Sequence, residues 1–197
     1  MQGVARAGLI DLAFLDESGF VPTLPVSSTW ARRGVRPLVP HEASRCRRLN
    51  VLGALAPLGP APRLVYASWT TSIDSAAFLA FVAEQVAGLP TPLDQLPPDY
   101  RRERLCVIVL DNYSVHRSKV VQAAIPALAA AGVVFFYLPP YSPELNRIEP
   151  LWGTIKYHDL QDRSYTDLAS LQRAVEDALA AHARRLAHST NPLCAAA

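Results

Sequence analysis

The chain has 197 residues, half of them hydrophobic, enough for one domain with a substantial core. No apolar run reaches the roughly 18 residues of a membrane span, and the N-terminal MQGVARAGLIDLAF ends its short apolar run in DE, unlike a signal peptide. A net charge of +2 gives no global signal for nucleic acid, and three scattered cysteines (Cys46, Cys106, Cys194) form no CxxC or Cys/His cluster for zinc.

Residues 9–15 read as a first strand buried on both faces, with Gly19 and the prolines from Pro22 to Pro25 marking its exit. Residues 36–39 suggest a short second strand. Residues 49–55 and 63–69 read as two more, joined through APLGPAP, where Gly59 and three prolines break the pattern. Residues 70–88 predict a helix capped by Ser72 or Asp74, with Phe78, Phe81, Val82 and Val86 at helical spacing. Residues 89–104 form a Pro-rich, charged stretch expected to be a flexible connector. Residues 105–110 are a continuous apolar run and a central strand. Ser118 caps a helix to Ala131, stopped by Gly132 and kinked at Pro126; residues 133–138 give the next strand. A proline-marked loop (Pro139, Pro140, Pro143) leads to a helix bearing Glu149. A last amphipathic helix begins near Thr166 and Asp167, with Leu168, Leu171, Val175, Ala178 and Leu179 on one face. Strands followed by strand–helix alternation predict an α/β fold with a mixed sheet.

Three carboxylates stand at element ends. Asp16 closes IDLAFLDE, Asp111 closes LCVIVLDN, and Glu149 lies in YSPELNRIEPLW. Such a set suits Mg²⁺, which prefers oxygen ligands, and a two-metal phosphoryl-transfer site. Each has a plainer reading. Asp16 and the Asp111–Asn112 pair are also turn formers, and Asn146 to Glu149 has the spacing of a capping box. Glu144 is a second candidate for the third acid. Glu17 falls on the opposite face from Asp16 if the strand continues, which suits a supporting role. His116 either orients a ligand or contacts phosphate. Between Trp30 and Asn50, six arginines (Arg32, Arg33, Arg36, Arg45, Arg47, Arg48) face one acid, Glu42. Arg forks suit phosphate contact. Arg147 and Lys156 are further candidates for DNA contact, Trp152 and Ile155 for the core, and Tyr141 and Ser142 for shaping the loop before Glu149.

LDESGF, LDNYSVHRS and LPPYSPELNRIEPLWGTIK, in that order, resemble the three blocks of the DDE catalytic domain of IS630-type transposases, within the Tc1/mariner superfamily. The resemblance runs from about Asp11 to Lys156. Its third block is the most specific, and the 37 residues between Asp111 and Glu149 fit the gap it implies. One departure is Arg147, where the family usually has Pro.

The resemblance implies an RNase H-like fold, a mixed central sheet flanked by helices, in which the first strand lies beside the 105–110 strand. It implies Asp16, Asp111 and Glu149 as catalytic metal ligands for two Mg²⁺ or Mn²⁺ ions. The implied activity is DNA cleavage and strand transfer at transposon ends and target DNA, in a homodimer or higher assembly. The alternatives are another RNase H-like nuclease, or an inactive remnant that only binds DNA. Helix-turn-helix modules of such transposases would precede residue 11, where this sequence leaves no room. The chain is therefore expected to be a single catalytic domain: a split-gene product partnered by a helix-turn-helix frame, a remnant or an excised fragment. Cytoplasmic work at the bacterial nucleoid is expected.

Overall fold

The computed structural model describes residues 1–22, 32–34, 48–160, 165 and 167–188. Five strands form one sheet in the order β3-β2-β1-β4-β5. They are β1 (Ile10–Phe20), β2 (Leu49–Ala56), β3 (Arg63–Trp69), β4 (Leu105–Leu110) and β5 (Val133–Tyr137). β1, β2 and β3 run antiparallel as a meander. β4 joins the other side of β1 in parallel, and β5 continues in parallel beyond it. Parallel neighbours need a crossover, and helix α3 (Lys119–Ala130) supplies it between β4 and β5.

Alternation along the strands divides the core into two layers. Leu12 and Phe14 of β1 and Val107 and Val109 of β4 point to one face. Helices α4 (Glu149–Thr154) and α5 (Leu168–His188) cover it with Trp152, Leu171, Val175 and Leu179, joined by Ile155 just beyond α4. Ala13, Leu15, Cys106, Ile108 and Leu110 point to the other face, under α2 (Ser75–Ala80) and α3. The short α1 (Gln2–Arg6) leads into β1.

Most expected elements are present, with instructive shifts. β1 runs on to Phe20, so Asp16 lies within the strand and not at its end. α2 begins at Ser75, not near 70, because the Asp74 side chain caps it by accepting from the Ala77 N–H at 2.8 Å. Wider, π-type turns extend α2 through Phe81–Val86 and α4 through Ile155–Asp159. The 3.6-residue pattern does not reveal such a change of pitch. Ser118 caps α3 as expected, Pro126 lies inside it, and Gly132 follows it at φ 83°. Glycine tolerates that left-handed backbone without strain. The 89–104 segment is tied to the body: Arg102 pairs with Asp11 at 2.6 Å and donates to the Ala87 carbonyl. The strand expected at 36–39 lies outside the described residues. Cys106 is buried in the core, where burial pushes its thiol up to about 11. Among the described residues, no helix is long and apolar enough to cross a membrane.

Candidate active site

The parallel pairing of β1 with β4 fixes the first two acids. The register runs from Ile10 opposite Leu105 to Phe14 opposite Val109. Carried two residues further, it sets Asp16 level with Asp111, where the two chains leave the shared ladder. Glu149 arrives from the other side as the first residue of α4. Asn146 holds that arrival: buried, it donates Nδ2–H to the Leu15 carbonyl at 2.9 Å, next to Asp16. The capping-box alternative for Glu149 does not hold, because Ile148 occupies the cap position and Glu149 the first turn. Pro150, just inside the helix, removes a donor that has no helical partner there.

Asp16, Asp111 and Glu149 line one cleft of about 410 Å³, with Asn112, Tyr113, Pro139, Pro140 and Tyr141 on its walls. Glu144 is exposed and does not line it. Partial burial pushes the Asp16 carboxyl up from 3.8 to about 7, and the negative charges of Glu149, Glu17 and Asp111 push the same way. Like charges gathered this way disfavour ionisation until a cation offsets them.

His116 is wholly buried under Phe78. Its Nδ1 lies 3.0 Å from Asp111 Oδ1 and its Nε2 2.9 Å from Glu17 Oε1. Those two carboxylates outweigh burial and raise the imidazole to about 9, while the bond from His116 lowers Asp111. The expectation that His116 contacts DNA phosphate is corrected: a side chain with no exposed surface cannot meet the backbone, and it acts as a strut between β1 and the loop after β4. Glu17 does face away from Asp16, and its partner there is this imidazole. Glu17, Asp111 and His116 bring ligand atoms within 4.8 Å of one another. Their closeness is that of hydrogen bonds, and both ring nitrogens are already committed.

Two features had no signal in the sequence. Trp152 packs in the core as expected, yet its Nε1–H also donates to Asp16 Oδ2 at 3.0 Å. Gly53 sits opposite Asp16 in the β1–β2 register, and a Cβ there would come within 2.7 Å of the Trp152 ring.

The candidate DNA contacts scatter. Arg48 is exposed, its guanidinium lies across Gly19, and it lines a second cleft of about 560 Å³. That cleft is shared with Asp16, Glu17, Asn50, Thr70, Thr71, Ser72 and Asp111. Lys156 lies 5.2 Å over the Phe20 ring, and its ammonium is lowered by burial while Glu149 raises it. Arg147 is turned toward α1, donating to Gln2 Oε1 at 3.1 Å. Arg32 and Arg33 are exposed, and Arg45 and Arg47 lie outside the described residues.

The family profile described as "DDE superfamily endonuclease" matches residues 11–172. The chain belongs to that family. A DDE endonuclease domain implies divalent-metal use, and the donor set fits it: carboxylate oxygens converge on a cleft where their own repulsion calls for a cation. Over 73 residues the chain is 33% identical to the "Insertion element IS630 uncharacterized 39 kDa protein" of Shigella sonnei, covering 37% of this chain and 20% of that protein. In structure it is similar to the Mos1 transposase paired-end complex with left transposon end (TM-score 0.60, 16% identity, 91% of this chain and 52% of that one). It is also similar to the catalytic domain of Mos1 mariner transposase (TM-score 0.57, 14% identity, 88% and 71%). The RNase H-like fold expected for this DDE domain is the one those neighbours share. The chain spans about a fifth of the length of the IS630 relative and about half of the Mos1 chain in the paired-end complex.

Proposed function

We propose that this chain is the catalytic domain of an IS630-type transposase. It cuts DNA at the ends of its element and joins the freed ends to target DNA. Asp16, Asp111 and Glu149 are the proposed ligands of two Mg²⁺ or Mn²⁺ ions. The observation that carries the reading is the convergence of these three carboxylates on one cleft, with Asp16 raised to about 7 by burial and by the neighbouring negative charges.

Bound there, such ions activate the attacking oxygen and stabilise the leaving one. Water attacks a phosphodiester at the element end, forming one P–O bond as the bond from phosphorus to the 3′ oxygen breaks, which leaves a 5′-phosphate and a free 3′-hydroxyl. That hydroxyl then attacks a phosphodiester of target DNA, forming one P–O bond as another breaks. The chain's own part is to hold the three carboxylates at fixed spacing, with Asn146 and His116 bracing the segments that bear them. Arg48, beside the acids, meets a flanking phosphate, and Lys156 adds positive charge near Glu149. The Mos1 complexes contain transposon-end DNA, and the same class of partner is proposed here, in a dimer or larger assembly.

Nicking of supercoiled plasmid by pure protein in Mg²⁺ or Mn²⁺ tests this reading. Asp16→Asn, Asp111→Asn and Glu149→Gln should each remove nearly all activity while leaving the fold intact. Full activity in any of them would remove that residue from the site. A strand-joining assay separates a transposase from a nuclease that only hydrolyses.

A further inference from the structure

We propose that Trp152 is the positioning residue for Asp16: its indole N–H occupies Oδ2 and leaves Oδ1 to face the cation. The inference rests on the reading of Asp16 as a cation ligand.

An indole N–H can only donate, so the 3.0 Å contact to Asp16 Oδ2 has one direction. The ring is pinned on two sides. Phe20 meets it edge to face, with centroids 6.4 Å apart. On the other side Gly53 leaves the space: an added Cβ would lie 2.7 Å from Cη2, 2.9 Å from Cζ2 and 3.0 Å from Ile148 Cδ1. Glycine inside a strand marks close approach of another group. Here the group is the side chain that grips the acid directly opposite in the register.

Trp152 also lies in α4, the helix that begins with Glu149. One short helix thus delivers an acid to the cleft and the donor that orients a second acid. Asp111 is held by the same rule. Its Oδ1 accepts from the Tyr113 N–H at 2.9 Å and lies 3.0 Å from His116 Nδ1, which leaves Oδ2 for the cleft. Asp111 is thus anchored through one oxygen, and Asp16 is held by the Trp152 indole together with a bond from the Glu17 backbone N–H.

The test is Mn²⁺ binding by calorimetry on the full chain, with ¹H–¹⁵N spectra of the indole groups as a metal-independent readout. Trp152→Phe keeps a ring and loses the donor; its Mn²⁺ affinity should fall about tenfold, as is typical when a ligand's partner is lost. Gly53→Ala keeps the donor but displaces the ring, and should weaken binding in the same direction. In metal-free protein the Trp152 indole resonance, assigned by its loss in Trp152→Phe, should shift on Asp16→Asn. Unchanged Mn²⁺ affinity in folded Trp152→Phe, or an indole resonance blind to Asp16→Asn, overturns the proposal. A wild-type chain that binds no Mn²⁺ overturns the cation reading itself, and this inference with it, whatever the indole resonance does.

Discussion

Asp16→Asn should stabilise the metal-free protein at neutral and alkaline pH. The native carboxyl moves from 3.8 to about 7 on folding, because burial and the charges of Glu149, Glu17 and Asp111 disfavour its ionised form. A carboxyl raised on folding contributes stability that is whole below about pH 4 and is lost as pH climbs through about 7. Each pH unit between those values is worth about 1.4 kcal/mol, or about 4 kcal/mol in full. Water at the open mouth of the cleft screens part of it, which leaves on the order of 2 kcal/mol. For a domain of this size that corresponds to about 4–8 °C in Tm. Asparagine keeps the shape and an acceptor for Trp152 but carries no charge. In EDTA at pH 8 the variant should therefore melt several degrees above wild type, and the two should converge near pH 4. Mg²⁺ should raise the wild-type Tm at pH 8 and leave the variant nearly unmoved. A gap between the two proteins that is the same at pH 5 and pH 8 would refute the crowding of charge around Asp16.

His116→Gln should flatten a different part of the pH profile. An imidazole raised to about 9 contributes stability that is present below about 6.5 and lost as pH rises through 9; denaturant melts at pH 7 and pH 9.5 should show that decline in wild type and not in the variant. Leu171→Ala, at a position with no exposed surface under the sheet, should cost about 2–5 kcal/mol in chemical denaturation while leaving the Mn²⁺ affinity of the folded protein unchanged. Neutralising Arg48 and Lys156 together should weaken DNA binding and reduce the slope of log affinity against log salt by about 2, with little change in preference between sequences. A fluorescence titration that found the slope unchanged would remove both side chains from the phosphate contacts.

The strand pattern was legible because strands buried on both faces read as unbroken apolar runs, as in LCVIVL. Helix boundaries were legible where Asp74 at a start and Gly132 at a stop carry their own local chemistry. The order of the sheet was not written in periodicity. It came from the resemblance, and the structure supplies its physical counterpart, a β1–β4 register in which Asp16 and Asp111 run level. Burial of His116 was invisible because a histidine after DNYSV reads as a loop residue, and Phe78 and Glu17, which help to enclose it, are distant in sequence. The bond from Trp152 to Asp16 was hidden for the same reason. A tryptophan at core spacing looks only apolar, and its N–H matters only once Gly53 admits the ring. The arginine cluster carried a local charge signal, yet half of it (Arg36, Arg45 and Arg47) lies outside the described residues, and among the described ones only Arg48 is found beside the acids.

In the proposed site, Asp16, Asp111 and Glu149 hold the divalent ions. An anomalous difference map from a crystal soaked in Mn²⁺ tests it directly. Density is expected in the cleft within ligand distance of Asp16 Oδ1, Asp111 Oδ2 and the Glu149 carboxylate. Density between Glu17, Asp111 and His116 instead, or none in the cleft at saturating Mn²⁺, would contradict it.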